Sequence, residues 1–183
     1  FTFHPDLIVW PETSLPFFFQ DNRKLASRVL SLAKESGAAL VFGSPAYEDT
    51  PEYTNYFNRA YLFSPQTGTL QYYDKLHLVP FGEYVPFKKY LPFLRRLVTA
   101  AGDFRPGNRL EPLSSGPLSL GVLICFEGIF PDLARSFTRK GANILVNLTN
   151  DAWFGKTSAP YQHLAMAAFR AVENRRPLIR AAN

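Results

Sequence analysis

Apolar residues in this chain fall into short unbroken runs separated by segments of helical period. Residues 6–10, 39–44, 118–124, 143–148 and 177–181 are runs of strand length, and several are apolar enough for strands buried on both faces. Between them lie helical patterns. Asp21 is placed to cap a helix whose apolar positions Leu25, Val29 and Leu32 recur at i, i+4 and i+7, with Gly37 to stop it. Two more helices are expected over 131–140 and 159–174. Residues 55–64 and 69–73 read as a hairpin turned at Pro65-Gln66-Thr67-Gly68. Strands that alternate with helices around one hairpin predict an α/β fold with a mixed sheet.

One stretch breaks the pattern. Residues 76–113 are irregular and rich in proline, aromatic and basic residues. A loop this long inside a compact domain is usually functional.

Composition narrows the picture little. The chain has 183 residues, 46% hydrophobic and 19% charged, enough for one globular domain, 1–183, with a real core. The net charge of +5 suits an anionic partner, yet the cations form no single stripe and fit a solvated surface equally well. A nucleic-acid partner has only this mild excess behind it, so none is expected. One cysteine excludes an intramolecular disulfide. The chain starts at Phe1 without a signal peptide, has no apolar run near the ~20 residues of a membrane span, and stops just after a strand begins. It therefore reads as a fragment truncated at both ends.

The one cysteine, Cys125, stands where the 118–124 strand runs into Phe126-Glu127-Gly128. A strand end is a rigid pedestal for a nucleophile, although a lone cysteine in an apolar run is more often inert packing. Two further strand ends change that balance. Glu12 closes Asp6-Leu7-Ile8-Val9-Trp10-Pro11, and Lys75 follows Tyr73-Asp74. A thiol of ordinary pKa ~8.5 needs a base or a positive field to react. Glu12 can be the base, while Lys75 and the backbone N–H groups of Phe126 and Glu127 can hold an oxyanion. A Cys–His pair is the alternative. Only His77 lies in a suitable loop, and packing there is its commoner use. No cluster has metal-ligand spacing, and no Gly-rich phosphate loop precedes a helix, so neither metal nor organic cofactor is expected.

The ordered set Glu12, Lys75, Cys125 resembles the carbon–nitrogen hydrolase (nitrilase) superfamily. Its bacterial apolipoprotein N-acyltransferase branch matches in several phrases: Trp10-Pro-Glu-Thr-Ser-Leu-Pro16, Lys75-Leu-His-Leu-Val-Pro-Phe-Gly-Glu-Tyr-Val-Pro86, Ile124-Cys-Phe-Glu127 and Asn147-Leu-Thr-Asn-Asp-Ala-Trp-Phe-Gly155. A fifth runs from Gln162-His163 through Phe169 to Asn183. The resemblance implies an α-β-β-α sandwich with Glu12 as general base, Lys75 as oxyanion stabiliser and Cys125 as nucleophile. Glu83 would be a second glutamate holding the lysine. It also implies a phospholipid acyl donor, a diacylglyceryl-modified apolipoprotein acceptor, and a place on the periplasmic face of the bacterial inner membrane. On this resemblance a transmembrane bundle and the final strands lie outside the fragment.

Around these residues, Phe126, Glu127, Tyr84 and Trp153 are candidates for the substrate pocket, with aromatic packing as the plain alternative. Residues 84–97 interleave aromatics and leucines with basic residues, a pattern that suits a membrane interface or a surface helix. Phe17-Phe18-Phe19, beside Glu12, suits the same interface or simply packs under the loop. Two rival functions remain: a soluble amidase or nitrilase with the same triad, and a catalytically silent binding module.

Overall fold

The computed structural model describes residues 4–86 and 103–183. Among these residues, eight strands form two four-stranded sheets. The first contains β1 (Leu7–Val9), β2 (Ala39–Asp49), β3 (Thr54–Ser64) and β4 (Thr69–Asp74) in that order; the second contains β5 (Leu113–Ser115), β6 (Leu118–Ile124), β7 (Ile144–Thr149) and β8 (Leu178–Ala182). Helix α1 (Arg23–Ser36) makes the parallel crossover from β1 to β2, while α2 (Pro131–Arg139) and α3 (Ala159–Asn174) make those from β6 to β7 to β8. The remaining pairs, β2–β3, β3–β4 and β5–β6, are antiparallel. Parallel pairing requires a crossover and antiparallel pairing does not, which is why the helices sit where the sequence alternates.

Strand alternation builds the layers. On β2 and β3, Ala39, Val41, Ala60 and Leu62 face the second sheet, packing with Leu120, Val122, Ile124 and Leu148. Their neighbours Leu40, Phe42, Tyr61 and Phe63 point the other way, onto Ala26, Val29, Leu30 and Ala33 of α1. On the far side, Phe137 of α2 presses so closely on β6 that a side chain at Gly121 would lie 2.8 Å from it. The result is the expected α-β-β-α sandwich. Each fully buried Leu, Val or Phe contributes roughly 1.5–3 kcal/mol of hydrophobic stabilisation.

Several local details differ from expectation. Asn22, not Asp21, caps α1, its Oδ1 accepting from Leu25 N at 3.0 Å. Leu32 is 43% exposed, because the buried stripe runs through Ala26, Val29, Leu30 and Ala33 instead. Strand β2 continues past residue 44 through Pro45 to Asp49. Strand β5 was hidden at the end of the irregular stretch, turned into β6 through Gly116 at φ 56°. Phe19 is buried against Phe42 and Tyr61, and Phe18 sits edge-on to Tyr47, so this aromatic run packs.

Strands β1, β2 and β4 are mutually parallel within the first sheet, since β3 is antiparallel to both β2 and β4. Strands β6, β7 and β8 are parallel in the second. The carboxyl ends of β1, β4, β6 and β7 lead directly into Glu12, Lys75, Cys125 and Asn150.

Candidate active site

Glu12 is fixed by its backbone before its side chain is considered. Trp10 N donates to Val41 O and Leu15 N to Gly43 O, so the turn after β1 lies flat on β2. A Cβ at Gly43 would lie 2.6 Å from Thr13 N and 3.0 Å from the Glu12 Cα, an approach that only glycine permits. Thr13 takes a left-handed φ of 50°. The carboxylate that results is 6% exposed, and both of its oxygens are engaged. Its Oε1 accepts from Asn58 Nδ2 at 2.8 Å and its Oε2 from Asn150 N at 3.0 Å.

Lys75 is held in the same manner. Its N–H donates to Asn58 O and its carbonyl accepts from Gly107 N, where a Cβ on Gly107 would lie 2.4 Å from Asp74 O. The ammonium is 1% exposed, and burial of a cation is costly unless it is paired. Glu83 pairs it, with Nζ at 3.0 Å from Oε1 and 2.9 Å from Oε2, while Glu12 Oε1 stands 3.6 Å away. Burial pushes the lysine pKa down, but the two carboxylates outweigh it and the group titrates above its ordinary value. Val79 N donates to Glu83 Oε2 and Asn58 Nδ2 to Glu83 Oε1. One amide of β3 therefore bridges both glutamates.

Cys125 opens a short 3₁₀ turn, Cys125–Ile129, at the end of β6. Its φ of 48° is left-handed, a conformation that costs a non-glycine residue on the order of 1 kcal/mol. The thiol is almost buried. Burial and the nearby Glu12 charge push its pKa up to about 11, against Lys75, Thr149 and the Asn150 N–H, which pull it down. The resting group is a thiol, and any attack by its sulfur would need a base.

Glu127 points into the core rather than into a cavity. It is fully buried, and donors occupy both oxygens: Tyr73 Oη, Leu76 N and His77 N on Oε1, and Ile124 N on Oε2. It joins the nucleophile turn to the loop after Lys75. Burial raises its pKa to about 7 despite those donors. His77 stacks on Phe130 with ring centroids 4.6 Å apart, in keeping with a packing role. Phe126 is edge-on to Phe130, and Tyr84 accepts Phe81 N at its carbonyl; neither lines the cavity. Trp153 does, at its rim and 78% exposed.

That cavity, about 460 Å³, is bounded by Glu12, Asn58, Lys75, Glu83, Phe104 and Trp153 among others. Its walls are mainly apolar and converge on a few fixed polar groups, the usual form of a small-molecule site. A larger hollow of about 690 Å³ beside Tyr161 and Leu164 touches none of Glu12, Lys75 and Cys125. Residues 87–97 of the basic-aromatic segment lie outside the described residues. Asn58 and Asn150 were not singled out beforehand. Asn58 left one clue, a polar amide within a strand that otherwise becomes apolar.

A buried cysteine, lysine and glutamate at strand ends of an α-β-β-α sandwich, with a half-buried second glutamate in the loop beyond the lysine, agree with what sequence comparison finds. The carbon-nitrogen hydrolase family model matches residues 4–183, and the chain belongs to that family. Within it, the chain is 55% identical over 178 residues to the apolipoprotein N-acyltransferase of Geobacter metallireducens, covering 97% of this chain and 34% of that protein. It is 43% identical to the apolipoprotein N-acyltransferase of Allorhizobium ampelinum, covering 98% and 34%. The chain thus spans about a third of the length of these curated relatives. Among solved structures, a carbon-nitrogen hydrolase from Helicobacter pylori G27 shares the fold, with a TM-score of 0.67 at 22% identity over 97% of this chain and 61% of that one. An amidase from Nesterenkonia sp. AN1, whose active-site cysteine was captured as an acrylamide adduct, has a TM-score of 0.62 at 26% identity over 97% and 65%.

Proposed function

We propose that this chain is the catalytic domain of an apolipoprotein N-acyltransferase, with Cys125 as nucleophile, Glu12 as general base and acid, Lys75 as oxyanion stabiliser and Glu83 as the partner that holds Lys75. In the first half-reaction Glu12 takes the Cys125 proton and the sulfur attacks the ester carbonyl of a phospholipid. Lys75 Nζ and the Phe126 N–H hold the oxyanion. The C–O bond then breaks, Glu12 returns its proton to the departing lysophospholipid, and a thioester remains on Cys125. In the second, the α-amino group of a diacylglyceryl-cysteine apolipoprotein attacks the thioester. Glu12 takes a proton from the amine, the C–S bond breaks, and that proton restores the thiol.

No metal or organic cofactor enters either step. Trp153 at the cavity rim and residues 84–97 would meet the lipid, at the periplasmic face of a bacterial inner membrane. No helix among the described residues is long and apolar enough to cross a membrane, so the anchor would lie in other parts of the protein.

The observation that carries this reading is identity of 55% to a named acyltransferase across nearly the whole chain, joined to a buried Glu12–Lys75 pair beside the one cysteine. The test is intact-mass analysis of the protein as its gene encodes it, in detergent, after incubation with a phosphatidylethanolamine of defined acyl chain, beside Cys125→Ala. A gain of one acyl chain on the wild type alone, discharged by a diacylglyceryl-cysteinyl peptide, is the expected result. No lipid adduct, with turnover of small amides that depends on Cys125, would make the chain an amidase, as in the Nesterenkonia relative. Neither signal in folded protein would leave a silent binding module.

A further inference from the structure

Beneath the nucleophile lies a buried polar cluster that the acyl-transfer steps do not use. His163 of α3 is buried, with its Nε2 3.0 Å from Cys125 O. Its Nδ1 is 3.1 Å from Asp151 Oδ1 and 3.2 Å from Arg180 Nη2. Arg180 donates to Asp151 Oδ2 at 2.6 Å and also to Asn147 Oδ1. Asn147 Nδ2 returns to the starting point, donating to Leu123 O at 2.9 Å and reaching Cys125 O at 3.4 Å. Thr149 Oγ1 donates to Asp151 Oδ1, and the ring of Phe154 stands edge-on to the imidazole. Two polar side chains, His163 of α3 and Asn147 of β7, thus reach one carbonyl oxygen, and Asp151, Arg180 and Thr149 brace them.

The chemistry of that contact has one sense. A carbonyl oxygen only accepts, so Nε2 carries the hydrogen whatever the state of Nδ1. If Nδ1 is bare it accepts from Arg180, and if it is protonated it donates to Asp151. Either way the ring keeps its orientation. The carbonyl it holds belongs to the left-handed Cys125, whose backbone would relax elsewhere without an anchor. A trans peptide is planar with its C=O and N–H pointing in opposite directions. Fixing Cys125 O toward α3 therefore fixes Phe126 N–H away from it.

We infer that His163, oriented by Asp151 and Arg180, is a positioning residue that holds the Cys125–Phe126 peptide so that the Phe126 N–H serves the acyl oxyanion. This rests on the thioester chemistry proposed above. The role differs from holding the sulfur itself, and the difference can be measured. Acylation by an ester builds an oxyanion; alkylation of the same thiol by iodoacetamide does not.

The experiment compares wild type, His163→Phe and His163→Gln, in the protein as its gene encodes it, by the rate of acyl-enzyme formation from phosphatidylethanolamine and the rate of Cys125 alkylation. His163→Phe is expected to slow acylation about 100-fold, the loss typical of one oxyanion donor, with alkylation within twofold of wild type. Gln, whose amide can still donate to Cys125 O, is expected to recover at least a tenth of the wild-type acylation rate. Equal losses in both reactions, or undiminished acylation in His163→Phe, would overturn the assignment. If thermal melts show His163→Phe unfolded, Asp151→Asn is read by the same two rates, with a three- to tenfold loss in acylation alone expected and none overturning it. Failure of the proposed function is a separate result: the wild type would then form no acyl-enzyme while its thiol still alkylates.

Discussion

Lys75 is bonded to Glu83, with Nζ 3.0 Å from Oε1, whereas Glu12 stands off at 3.6 Å. The second glutamate thus takes the lysine's hydrogen bonds. Glu12 keeps only a longer ion pair with Lys75 and takes its hydrogen bonds from Asn58 and Asn150, so a proton can be exchanged there without breaking a hydrogen bond to the lysine.

This division predicts opposite responses in the thiol. Glu12 raises the Cys125 pKa and Lys75 lowers it, around a value of about 11. Glu12→Gln is expected to move the alkylation inflection below that of wild type, and Lys75→Met to move it above. Both variants should lose acyl transfer. A thiol titration by iodoacetamide rate against pH reads the sign directly, and an upward shift in Glu12→Gln would contradict the arrangement.

Asn58 is expected to be indispensable, because one amide nitrogen serves Glu12 at 2.8 Å and Glu83 at 2.7 Å. Asn58→Leu leaves both carboxylates short of a donor and should cost about 1–3 kcal/mol in urea unfolding. Asn58→Asp places a third carboxyl among them. Its loss should be larger at pH 8 than at pH 5, where protonation relieves the repulsion. Equal losses at the two pH values would mean that the amide is not bridging charges.

Glu127 should leave a mark on stability against pH. Its carboxyl is raised from the ordinary 4.5 to about 7 by burial, so between those values the folded state binds more of its proton than the unfolded state does. Stability contributed by this group therefore falls as pH rises from about 4.5 to 7, by about 3 kcal/mol in total. It is level on either side. Glu127→Gln is expected to remove that slope. Unfolding free energies at half-unit intervals of pH provide the check, and an unchanged slope would assign the carboxyl an ordinary titration.

Gly43→Ala is expected to damage the reaction more than the fold. The added methyl would lie 2.6 Å from Thr13 N and 3.0 Å from Glu12 Cα, which costs about 1–3 kcal/mol as overpacking. Because it displaces Glu12, the proposed base, acyl-enzyme formation should fall by about 100-fold. A variant that melts early yet acylates at the wild-type rate would show that the turn can move without moving Glu12.

The strand ends before Glu12, Cys125 and Asn150 were legible because the apolar runs there stop at Pro11, Cys125 and Thr149, and burial enforces that pattern locally. Helix α3 emerged with the expected bounds, 159–174. What the sequence did not display was the partner of each charge. Asn58 meets Glu12 from 46 positions away, and such pairing depends on sheet register rather than on neighbours. Glu127 shows the same limit: continued strand alternation would set it on the side of Cys125, but the 3₁₀ turn at that point rotates it inward. Leu32 shows the limit of helical spacing, since a one-residue error in the buried stripe exposes it.

Glu12 accepts from Asn150 N across 138 positions of chain, and Glu127 receives Leu76 N across 51. Contacts so distant in sequence close late in folding. As the chain is synthesised Cys125 precedes Asn150, so its thiol exists before the last of these partners, and at that stage it lies outside the buried setting that raises its pKa. The finished sandwich alone places the thiol beside Glu12 and Lys75, so an immature or partly opened molecule carries its cysteine without those neighbours.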